Sequence, residues 1–256
     1  MNADQVVLSG VSKSYKGKPV LGNLNLSIPR NKFTVVIGPS GCGKSTIINL
    51  IAGYDKPDAG TIMCDGKQVE DAKWDRLVVF QETALFPWKT TLENVAFGPT
   101  SQGAKKDEVA TRARAIMEKF GLAGFEDKYP NQLSGGMQRR AELARAIINT
   151  PNVMLMDEPF RGLDAMTREL MQEYLLKLFE ENHLTTLFVT SDIEEGIYLA
   201  DTLIVLSSTP TSVRAVIDVG LPRPRNIRML ATARFGEVHK EVLQNLTKRE
   251  RETTMA

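Results

Sequence analysis

The stretch GPSGCGKST, residues 38–46, decides the fold of this chain. It fits the pattern G-x-x-x-x-G-K-[ST], follows the apolar run FTVVI at 33–37 and precedes a helical pattern, IINLIAG, at 47–53. Glycines allow backbone N–H groups to turn towards phosphate oxygens, and the start of a helix adds partial positive charge. The sequence therefore predicts a phosphate-binding loop between a buried strand and a helix that ends at Gly53.

Every residue of this phosphate loop (residues 38–46) is a candidate nucleotide ligand. We expect Lys44 to reach the β and γ phosphates and Ser45 to hold Mg²⁺. Cys42 is interpreted as a small loop residue and not as a nucleophile. The predicted binding residues are Gly38, Pro39, Ser40, Gly41, Cys42, Gly43, Lys44, Ser45 and Thr46.

The composition argues against a nucleic-acid-binding, membrane-spanning or secreted protein. The chain has 256 residues, 42% of them hydrophobic, and its net charge of +1 gives no broad attraction for nucleic acid or anionic lipid. Its apolar runs are far shorter than the roughly 20 residues that span a bilayer. The start MNADQVVLSG lacks the pattern of a signal peptide, and only Cys42 and Cys64 are present. We therefore expect a reducing cytoplasm and no nucleic-acid partner.

Short apolar strands alternate with helical patterns, which is typical of a mostly parallel sheet covered by helices. The predicted strands are FTVVI (33–37), RLVVF (76–80), VMLM (153–156), TTLFV (185–189) and TLIVL (202–206). Asp65-Gly66, inside residues 61–69, predicts a hairpin and with it an antiparallel section near the N-terminus. The predicted fold class is α/β, a P-loop NTPase core with an inserted helical subdomain.

Three regions are predicted along the chain: an α/β domain at 1–220, a helical subdomain inserted in it at about 87–149, and a helical appendage with a frayed tip at 221–256. One predicted helix of the subdomain has an apolar face of Val109, Ala113, Ile116, Met117 and Phe120. Another helix, near 166–180, is predicted to turn its apolar face to the core with Met166, Leu170, Tyr174, Leu175 and Leu178.

Two carboxylates follow a buried strand in VMLMDEP, residues 153–159. Because the carboxyl ends of parallel strands meet at one edge of a sheet, we expect them beside the phosphate loop. Asp157 is predicted to orient Mg²⁺, and Glu158 to polarise an attacking water. Alone, such a strand end is only a common turn, but together with the phosphate loop it predicts nucleotide hydrolysis.

A second stretch of serine and glycine, LSGGMQ at 133–138, leads into another predicted helix. One chain rarely needs two phosphate-binding helix ends for one nucleotide, so two chains that share nucleotides are expected. Over roughly residues 5–220 the sequence resembles the ATPase subunits of ABC transporters. The resemblance implies two chains that sandwich two ATP molecules with Mg²⁺, each site using one chain's phosphate loop and the other chain's signature. The signature residues here are Ser134, Gly135, Gly136 and Gln138.

The resemblance assigns three further residues. Tyr15 resembles the aromatic that stacks on adenine, the alternative being a strand aromatic in the core. Gln81 resembles the glutamine that contacts Mg²⁺ and the water, the alternative being a surface strand end. Asp164 in FRGLD matches the aspartate of the loop that crosses the dimer interface, and a helix N-cap is compatible with that role.

Two stretches, QETALFPWKTTLENVAFG at 81–98 and DAMTREL at 164–170, resemble the nitrate, sulfonate and taurine class of bacterial importer ATPases. That class implies a small anionic or organic solute, an extracytoplasmic solute-binding protein as an indirect partner, and a peripheral location at the cytoplasmic face of the cell membrane. Integral-membrane permease subunits are expected to dock near Gln81 on exposed Leu85, Phe86 and Trp88, unless these three belong to the subdomain core.

The sequence departs from the family at Ser191, where the family has a histidine that hydrogen-bonds the γ-phosphate. Neither His183 nor His239 lies close enough in sequence to replace it. Losing one positioned transition-state donor costs roughly 3–4 kcal/mol, so Ser191 as a catalytic residue predicts slow or absent hydrolysis. Ser191 and Glu194 also fit an S-x-x-E capping box.

A second departure is Arg161-Gly162, where the family has two small residues. Arg161 is expected either to pair with a carboxylate across the dimer or to be solvated. The leading interpretation is an ATPase subunit that energises transport, paired with an identical chain or with a different, fully equipped ATPase. The alternatives are a regulatory subunit that binds ATP but barely hydrolyses it, and an ATPase of the same family in DNA repair or cofactor assembly.

Overall fold

A computed structural model describes residues 4–247, and they form two compact units. The first unit is built from residues 4–72 and 183–247, and the second from residues 73–182. The strands are β1 (Asp4–Tyr15), β2 (Lys18–Pro29), β3 (Phe33–Ile37), β4 (Ala59–Cys64), β5 (Lys67–Gln68), β6 (Arg76–Val79), β7 (Val153–Asp157), β8 (Thr185–Thr190), β9 (Thr202–Leu206) and β10 (Val213–Asp218). The α-helices are α1 (Lys44–Ala52), α2 (Thr91–Ser101), α3 (Lys106–Lys119), α4 (Gly135–Ile147), α5 (Ala165–Asn182), α6 (Ile193–Leu199) and α7 (Ala233–Thr247).

An antiparallel sheet in the order β2-β1-β4-β5 occupies one part of the first unit. Its β4–β5 hairpin turns at Asp65 and Gly66, whose φ angles are +50° and +71°. Positive φ at both central residues is what a type I′ turn requires, and this turn matches the twist of the flanking strands. The predicted hairpin and the predicted antiparallel section are both confirmed.

The other sheet of the first unit is mostly parallel. Strand β3 pairs in parallel with β8 on one side and β9 on the other, and β10 runs antiparallel to β9. All five residues of β3 are buried, and the ring of Phe33 lies 5.9 Å from that of Phe188. A strand with neighbours on both sides and both faces covered is mostly apolar, which explains the run FTVVI, in which Thr34 is the one polar residue.

The second unit contains the parallel strands β6 and β7, a 3-10 helix at Pro130–Gln132 and helices α2 to α5. Between residues 87 and 149 its regular elements are helices. The unit extends beyond that range because it also holds β6, β7 and α5. No helix within residues 4–247 has both the length and the hydrophobicity needed to cross a membrane.

One helix differs from the prediction in the face that it buries. In α5 the buried residues include Met171, Leu175 and Leu178, whereas Met166 and Leu170 are exposed. At about 100° per residue, Met166 points well over 90° away from that buried face. The prediction that Met166 and Leu170 face the core is therefore wrong. In α3, Val109, Ala113 and Met117 are buried as predicted.

The chain beyond Val219 is anchored to the end of α6. The guanidinium of Arg225 donates to the carbonyls of Ile197, Tyr198 and Ala200 at 3.1, 2.7 and 2.6 Å, so it satisfies acceptors that the helix end leaves open. The appendage continues through a 3-10 helix at Ile227–Ala231 into α7. The tip that the sequence predicts to fray, residues 248–256, lies outside the described residues.

Candidate nucleotide-binding and hydrolysis site

The phosphate loop has a backbone that only glycine adopts without strain at two positions. Gly41 and Gly43 have φ angles of +76° and +95°, and Gly43 is the N-cap of α1. A Cβ atom at Gly43 would lie only 2.8 Å from a methyl group of Val20. Backbone N–H groups in the first turn of α1 have no carbonyl partner inside the helix. A curved loop of this kind at a helix start fits a phosphate group.

Lys44 lies along this loop with its side chain buried. Its Nζ donates to the carbonyls of Gly38 and Pro39 at 2.9 and 3.1 Å. These neutral acceptors hold the ammonium group within the phosphate loop without neutralising it. Ser45 is exposed one residue further on, where its hydroxyl is open to a ligand.

Cys42 is buried in the same loop, and its carbonyl accepts from the Thr211 hydroxyl. Burial raises the pKa of the Cys42 thiol, so the thiol stays protonated at neutral pH. The interpretation of Cys42 as a packing residue and not a nucleophile agrees with this environment.

Tyr15 lies at the surface of the first unit, where 42% of the residue is exposed, so the alternative of a core aromatic is wrong. Its hydroxyl donates to Oδ2 of Asp55 at 2.7 Å, while Lys13 donates to Oδ1 of Asp55 at 2.7 Å and lies 5.3 Å from the ring centre. The hydrogen bond from Lys13 is the main cause that lowers the pKa of Asp55, and that from Tyr15 adds to it. The ring is therefore held by a charged carboxylate.

Ser191 lies beside the start of the phosphate loop. The parallel strands β3 and β8 pair Ile37 with Thr190, so Gly38 and Ser191 leave the sheet next to each other. Ser191 is exposed and makes no hydrogen bond to any residue of the described range 4–247. Where the resemblance leads us to expect a histidine, the chain therefore has a serine whose hydroxyl makes no hydrogen bond within the described residues.

The predicted capping box at Ser191 is wrong by one residue. Asp192 caps α6, and its Oδ1 accepts from the backbone N–H of Glu195 at 3.1 Å. The side chain of Glu195 accepts from the buried hydroxyl of Thr190 at 2.6 Å. Aspartate and serine are comparable N-caps, so the residue type does not choose between them. Asp192 is the cap because α6 begins at Ile193.

The acidic loop (residues 157–164) follows β7 in the second unit. Glu158 has a φ angle of +44°, and its Oε2 accepts from Nη1 of Arg161 at 3.1 Å. The structure therefore gives Arg161 a partner that neither sequence alternative included, the neighbouring carboxylate of its own chain. At the end of the loop, Asp164 caps α5 by accepting from the backbone N–H of Thr167 at 3.0 Å, a cap that is compatible with the role that the resemblance gives it. Hydrogen bonds from Thr167 lower the pKa of Asp164.

The signature stretch begins α4. Ser134 is the N-cap, and its hydroxyl accepts from the N–H of Met137 at 3.3 Å. A Cβ at Gly136 would lie 2.8 Å from a methyl group of Thr167, so glycine allows the start of α4 to approach α5. Gln138 donates to the carbonyls of Pro130 and Leu133 and accepts from Thr83, which commits its side chain to this unit.

Gln81 is exposed two residues beyond the end of β6, and the backbone that follows it is bound to α4. Arg139 donates to the carbonyl of Gln81 at 2.5 Å, Glu142 accepts from the N–H of Ala84 at 3.1 Å, and Arg145 donates to the carbonyl of Ala84 at 2.8 Å. Burial raises the pKa of Glu142 and lowers that of Arg139, while their mutual hydrogen bond opposes both shifts.

Sequence reasoning missed these three α4 residues and also Lys13 and Asp55. The spacing of Arg139, Glu142 and Arg145 puts them on one helical face, but charged residues on one face of a helix normally indicate a solvated surface. Lys13 is two residues from Tyr15 on a strand, which is a usable signal. Nothing near Asp55 in the sequence signals its contact with Tyr15.

Only part of the predicted docking surface is accessible. Leu85 is buried, so the prediction that it is exposed is wrong, whereas Trp88 is 70% exposed. Trp88 and Phe97 lie 5.7 and 4.6 Å from the ring of Phe86, and the guanidinium of Arg145 lies 5.3 Å from it. Phe86, Trp88 and Phe97 form an aromatic patch at the surface of the second unit.

Three comparisons with known proteins bear on this geometry. The model of the family described as ABC transporter matches residues 21–161. The aliphatic sulfonates import ATP-binding protein of Bacillus cereus is 41% identical over 243 residues, which are 93% of this chain and 94% of that protein. The taurine import ATP-binding protein of Yersinia pestis is 44% identical over 206 residues, which are 80% of this chain and 81% of that protein.

Among solved structures, this chain is similar to a dimeric ATP-binding cassette in a post-hydrolysis state bound to ADP and phosphate. The TM-score is 0.73 and the identity is 33%, with 83% of this chain and 98% of that chain covered. An α/β cassette that binds a nucleotide, as predicted from the phosphate loop, is thereby confirmed as the fold class.

Proposed function

The chain belongs to the ABC transporter family, and we propose that it is the ATP-hydrolysing subunit of an importer for a small sulfonate-like or taurine-like solute. The observation that carries the proposal is the phosphate loop, in which left-handed Gly41 and Gly43 precede a helix and Lys44 lies along the loop. The names of the sulfonate and taurine relatives support the solute class.

In the proposed site, Tyr15 stacks on adenine and the phosphate loop binds the phosphates. Lys44 exchanges its two carbonyl acceptors for β and γ phosphate oxygens, which are stronger acceptors because they are charged. A water attacks the γ-phosphorus, the bond to the bridging oxygen breaks, and ADP and phosphate leave. Glu158 accepts the proton of that water.

Mg²⁺ is the metal that this site fits. The proposed ligands are Ser45, Gln81 and Asp157, all of them oxygen donors, and within residues 4–247 no three His, Cys, Asp or Glu residues cluster as a metal site. Mg²⁺ is typically held by one or two carboxylates together with substrate phosphates, so a sparse donor set is suitable. When bound, it neutralises charge on the phosphate oxygens.

The weak element of the site is Ser191. A serine hydroxyl is shorter than an imidazole and cannot become positively charged, so the γ-phosphate loses a donor. We expect hydrolysis at this chain's own phosphate loop to be slower by roughly a hundredfold or more. Ser134, Gly135 and Gly136 stay available to complete a site on a second ATPase subunit, either an identical chain or a different one.

The aromatic patch is the proposed contact for a permease subunit at the cytoplasmic face of the membrane. A half-buried ring beside a 70% exposed indole presents apolar area that a short amphipathic helix would cover. A solute-binding protein outside the membrane would contact the permease and not this chain.

The second candidate function, a regulatory subunit that binds ATP but barely turns it over, is favoured by the unpartnered hydroxyl of Ser191.

Titration of the purified chain with Mg·ATP tests the proposal, followed by an assay of phosphate release. Binding that is lost in Lys44→Ala, together with slow turnover that is lost in Glu158→Gln, is the expected result. Binding with no turnover in any variant, Ser191→His included, would favour the regulatory subunit. Failure to bind ATP at all would reject both.

A further inference from the structure

The carboxylate that the proposed function uses as a base is already engaged by a cation of its own chain. Oε2 of Glu158 lies 3.1 Å from Nη1 of Arg161, and the backbone N–H of Arg161 donates to the carbonyl of Glu158, also at 3.1 Å. Within residues 4–247, Arg161 is the one residue that hydrogen-bonds to the Glu158 side chain. Side chain and backbone together close a turn around the carboxylate.

This turn has a constrained geometry. Glu158 occupies the left-handed region at φ +44°, which residues with a Cβ rarely adopt, and Gly162 follows the turn at φ +82°. The Glu158 side chain is only 13% exposed, whereas that of Arg161 is 63% exposed. The carboxylate is thus fixed in place, and the cation reaches it from the solvent side.

Oε2 of Glu158, which accepts from the guanidinium, has to share or release that hydrogen bond before it takes a proton from water. The other oxygen, Oε1, keeps its lone pairs, so the contact acts through one oxygen and through the orientation of the carboxylate. Charge-assisted hydrogen bonds are stronger than a bond to neutral water, so the guanidinium competes well. An exposed arginine is also screened and mobile, which limits the competition. The contact is therefore a restraint on Glu158 and not a permanent block.

We infer that Arg161 is a positioning residue that restrains Glu158 and lowers the rate of ATP hydrolysis at this chain's own site. The inference rests on the proposed role of Glu158 as the base. Ser191 lacks a donor that a substitution alone can restore, whereas the restraint by Arg161 is reversible. Any contact that draws the exposed guanidinium away frees the carboxylate. The occupant of the restrained oxygen after release is the attacking water.

The test measures ATP turnover by the purified full-length chain and its variants. Arg161→Ala is expected to raise kcat by up to about fivefold, the size that an exposed ion pair allows, with KM unchanged. Arg161→Lys keeps the charge but loses the planar fork, and an intermediate kcat is expected. Arg114→Ala removes an exposed arginine of α3 from the same unit and serves as the control with unchanged kcat.

Salt provides a readout that a purely structural role of Arg161 would not change. Screening weakens an exposed ion pair, so kcat of the unmodified chain should rise relative to that of Arg161→Ala as salt increases from about 0.05 to 0.5 M. The kcat ratio of the two proteins should approach one at high salt. A ratio independent of salt would overturn the inference.

The outcomes separate this inference from the proposed function. If Glu158→Gln keeps full turnover, the assignment of Glu158 as base fails. If Glu158→Gln abolishes turnover but Arg161→Ala equals or falls below the unmodified chain, the inference alone fails. The same comparison in a Ser191→His background, followed in single turnover with enzyme in excess, keeps the rates measurable. The fold-change from Arg161→Ala should persist there and vanish with Glu158→Gln.

Discussion

The phosphate loop and the acidic loop differ in how closely they follow the pattern of the family. The phosphate loop keeps every residue of G-x-x-x-x-G-K-[ST], with left-handed glycines and a buried lysine. The acidic loop keeps Asp157, Glu158 and Asp164 but has Arg161 bound to Glu158. Ser191, next to Gly38 at the sheet edge, also departs from the family pattern, which has a histidine there. In the proposed function, the groups assigned to bind the nucleotide are complete, whereas Arg161 and Ser191 are expected to weaken the activation of water.

The largest effect is expected at the complete loop. Lys44→Ala removes the cation that is proposed to face the phosphates and should weaken Mg·ATP binding by roughly thirtyfold to several thousandfold, the cost of leaving a buried charge unpaired. Isothermal titration calorimetry measures the change. Lys67→Ala, an exposed lysine of β5, is the control. Unchanged ATP affinity in Lys44→Ala would mean that the phosphate loop does not bind the nucleotide.

The next effect is expected at Ser191. Ser191→His restores an imidazole at the edge of β8 and should raise kcat by roughly a hundredfold to a thousandfold with little change in ATP affinity. Glu194→His places an imidazole at an exposed position in the first turn of α6, three residues away, and should leave the rate unaltered. A gain of equal size in both variants would show that the position of the imidazole is unimportant.

A smaller effect is expected at the adenine end. Tyr15→Ala removes the ring that is proposed to stack on adenine and should weaken ATP binding by about five- to a hundredfold, since stacking contributes roughly 1–3 kcal/mol per base. Tyr15→Phe keeps the ring and loses only the hydrogen bond to Asp55, so a loss of about two- to threefold is expected. Fluorescence titration with ATP distinguishes the two. Equal losses would mean that the hydroxyl, and not the ring, meets the nucleotide.

The smallest effect is a pH-dependent change in stability. Because the hydrogen bonds of Lys13 and Tyr15 hold the pKa of Asp55 below its usual value, the folded state is stabilised above the unfolded-state pKa of that carboxyl. This stabilisation disappears as the pH falls through the lower folded-state pKa. Asp55→Asn should therefore lose about 0.5–1 kcal/mol of unfolding free energy at pH 7 and progressively less below pH 4.

Urea unfolding at several pH values checks this expectation. Asp127→Asn, which changes an exposed aspartate of the second unit, should show no such pH trend. A difference between Asp55→Asn and the unmodified chain that grows on acidification would contradict the assigned ion pair.

Local patterns predicted most of the fold. The run FTVVI is β3, TLIVL is β9 and Asp65-Gly66 is the turn of a hairpin, because burial and turn chemistry act over a few residues. Errors arose where neighbours distant in sequence decide the outcome. Leu85 is buried although its sequence neighbours suggest a surface position. Met166 is exposed because α5 buries a different face, the one that carries Met171 and Leu175.

The candidate site divides in the same way. The spacing of its motif predicts the phosphate loop, whereas the acidic pair becomes a candidate only in combination with that loop. The contact of Arg161 with Glu158 spans three residues and still escaped prediction, since an i,i+3 pair outside a helix depends on the φ angle at Glu158. The contact of Tyr15 with Asp55 joins the end of β1 to the loop that follows α1. No local sequence pattern predicts a contact between residues 40 positions apart.

The most direct measurement of the difference between binding and hydrolysis is the identity of the bound nucleotide. The purified chain is incubated with excess Mg·ATP in the absence of any other ATPase, separated from free nucleotide, and the bound fraction is analysed after increasing times. A complete phosphate loop with restrained water activation predicts that ATP stays bound largely unhydrolysed, and that Ser191→His converts it to ADP far sooner. Rapid conversion to ADP by the unmodified chain, at the rate of the Ser191→His variant, would contradict the account.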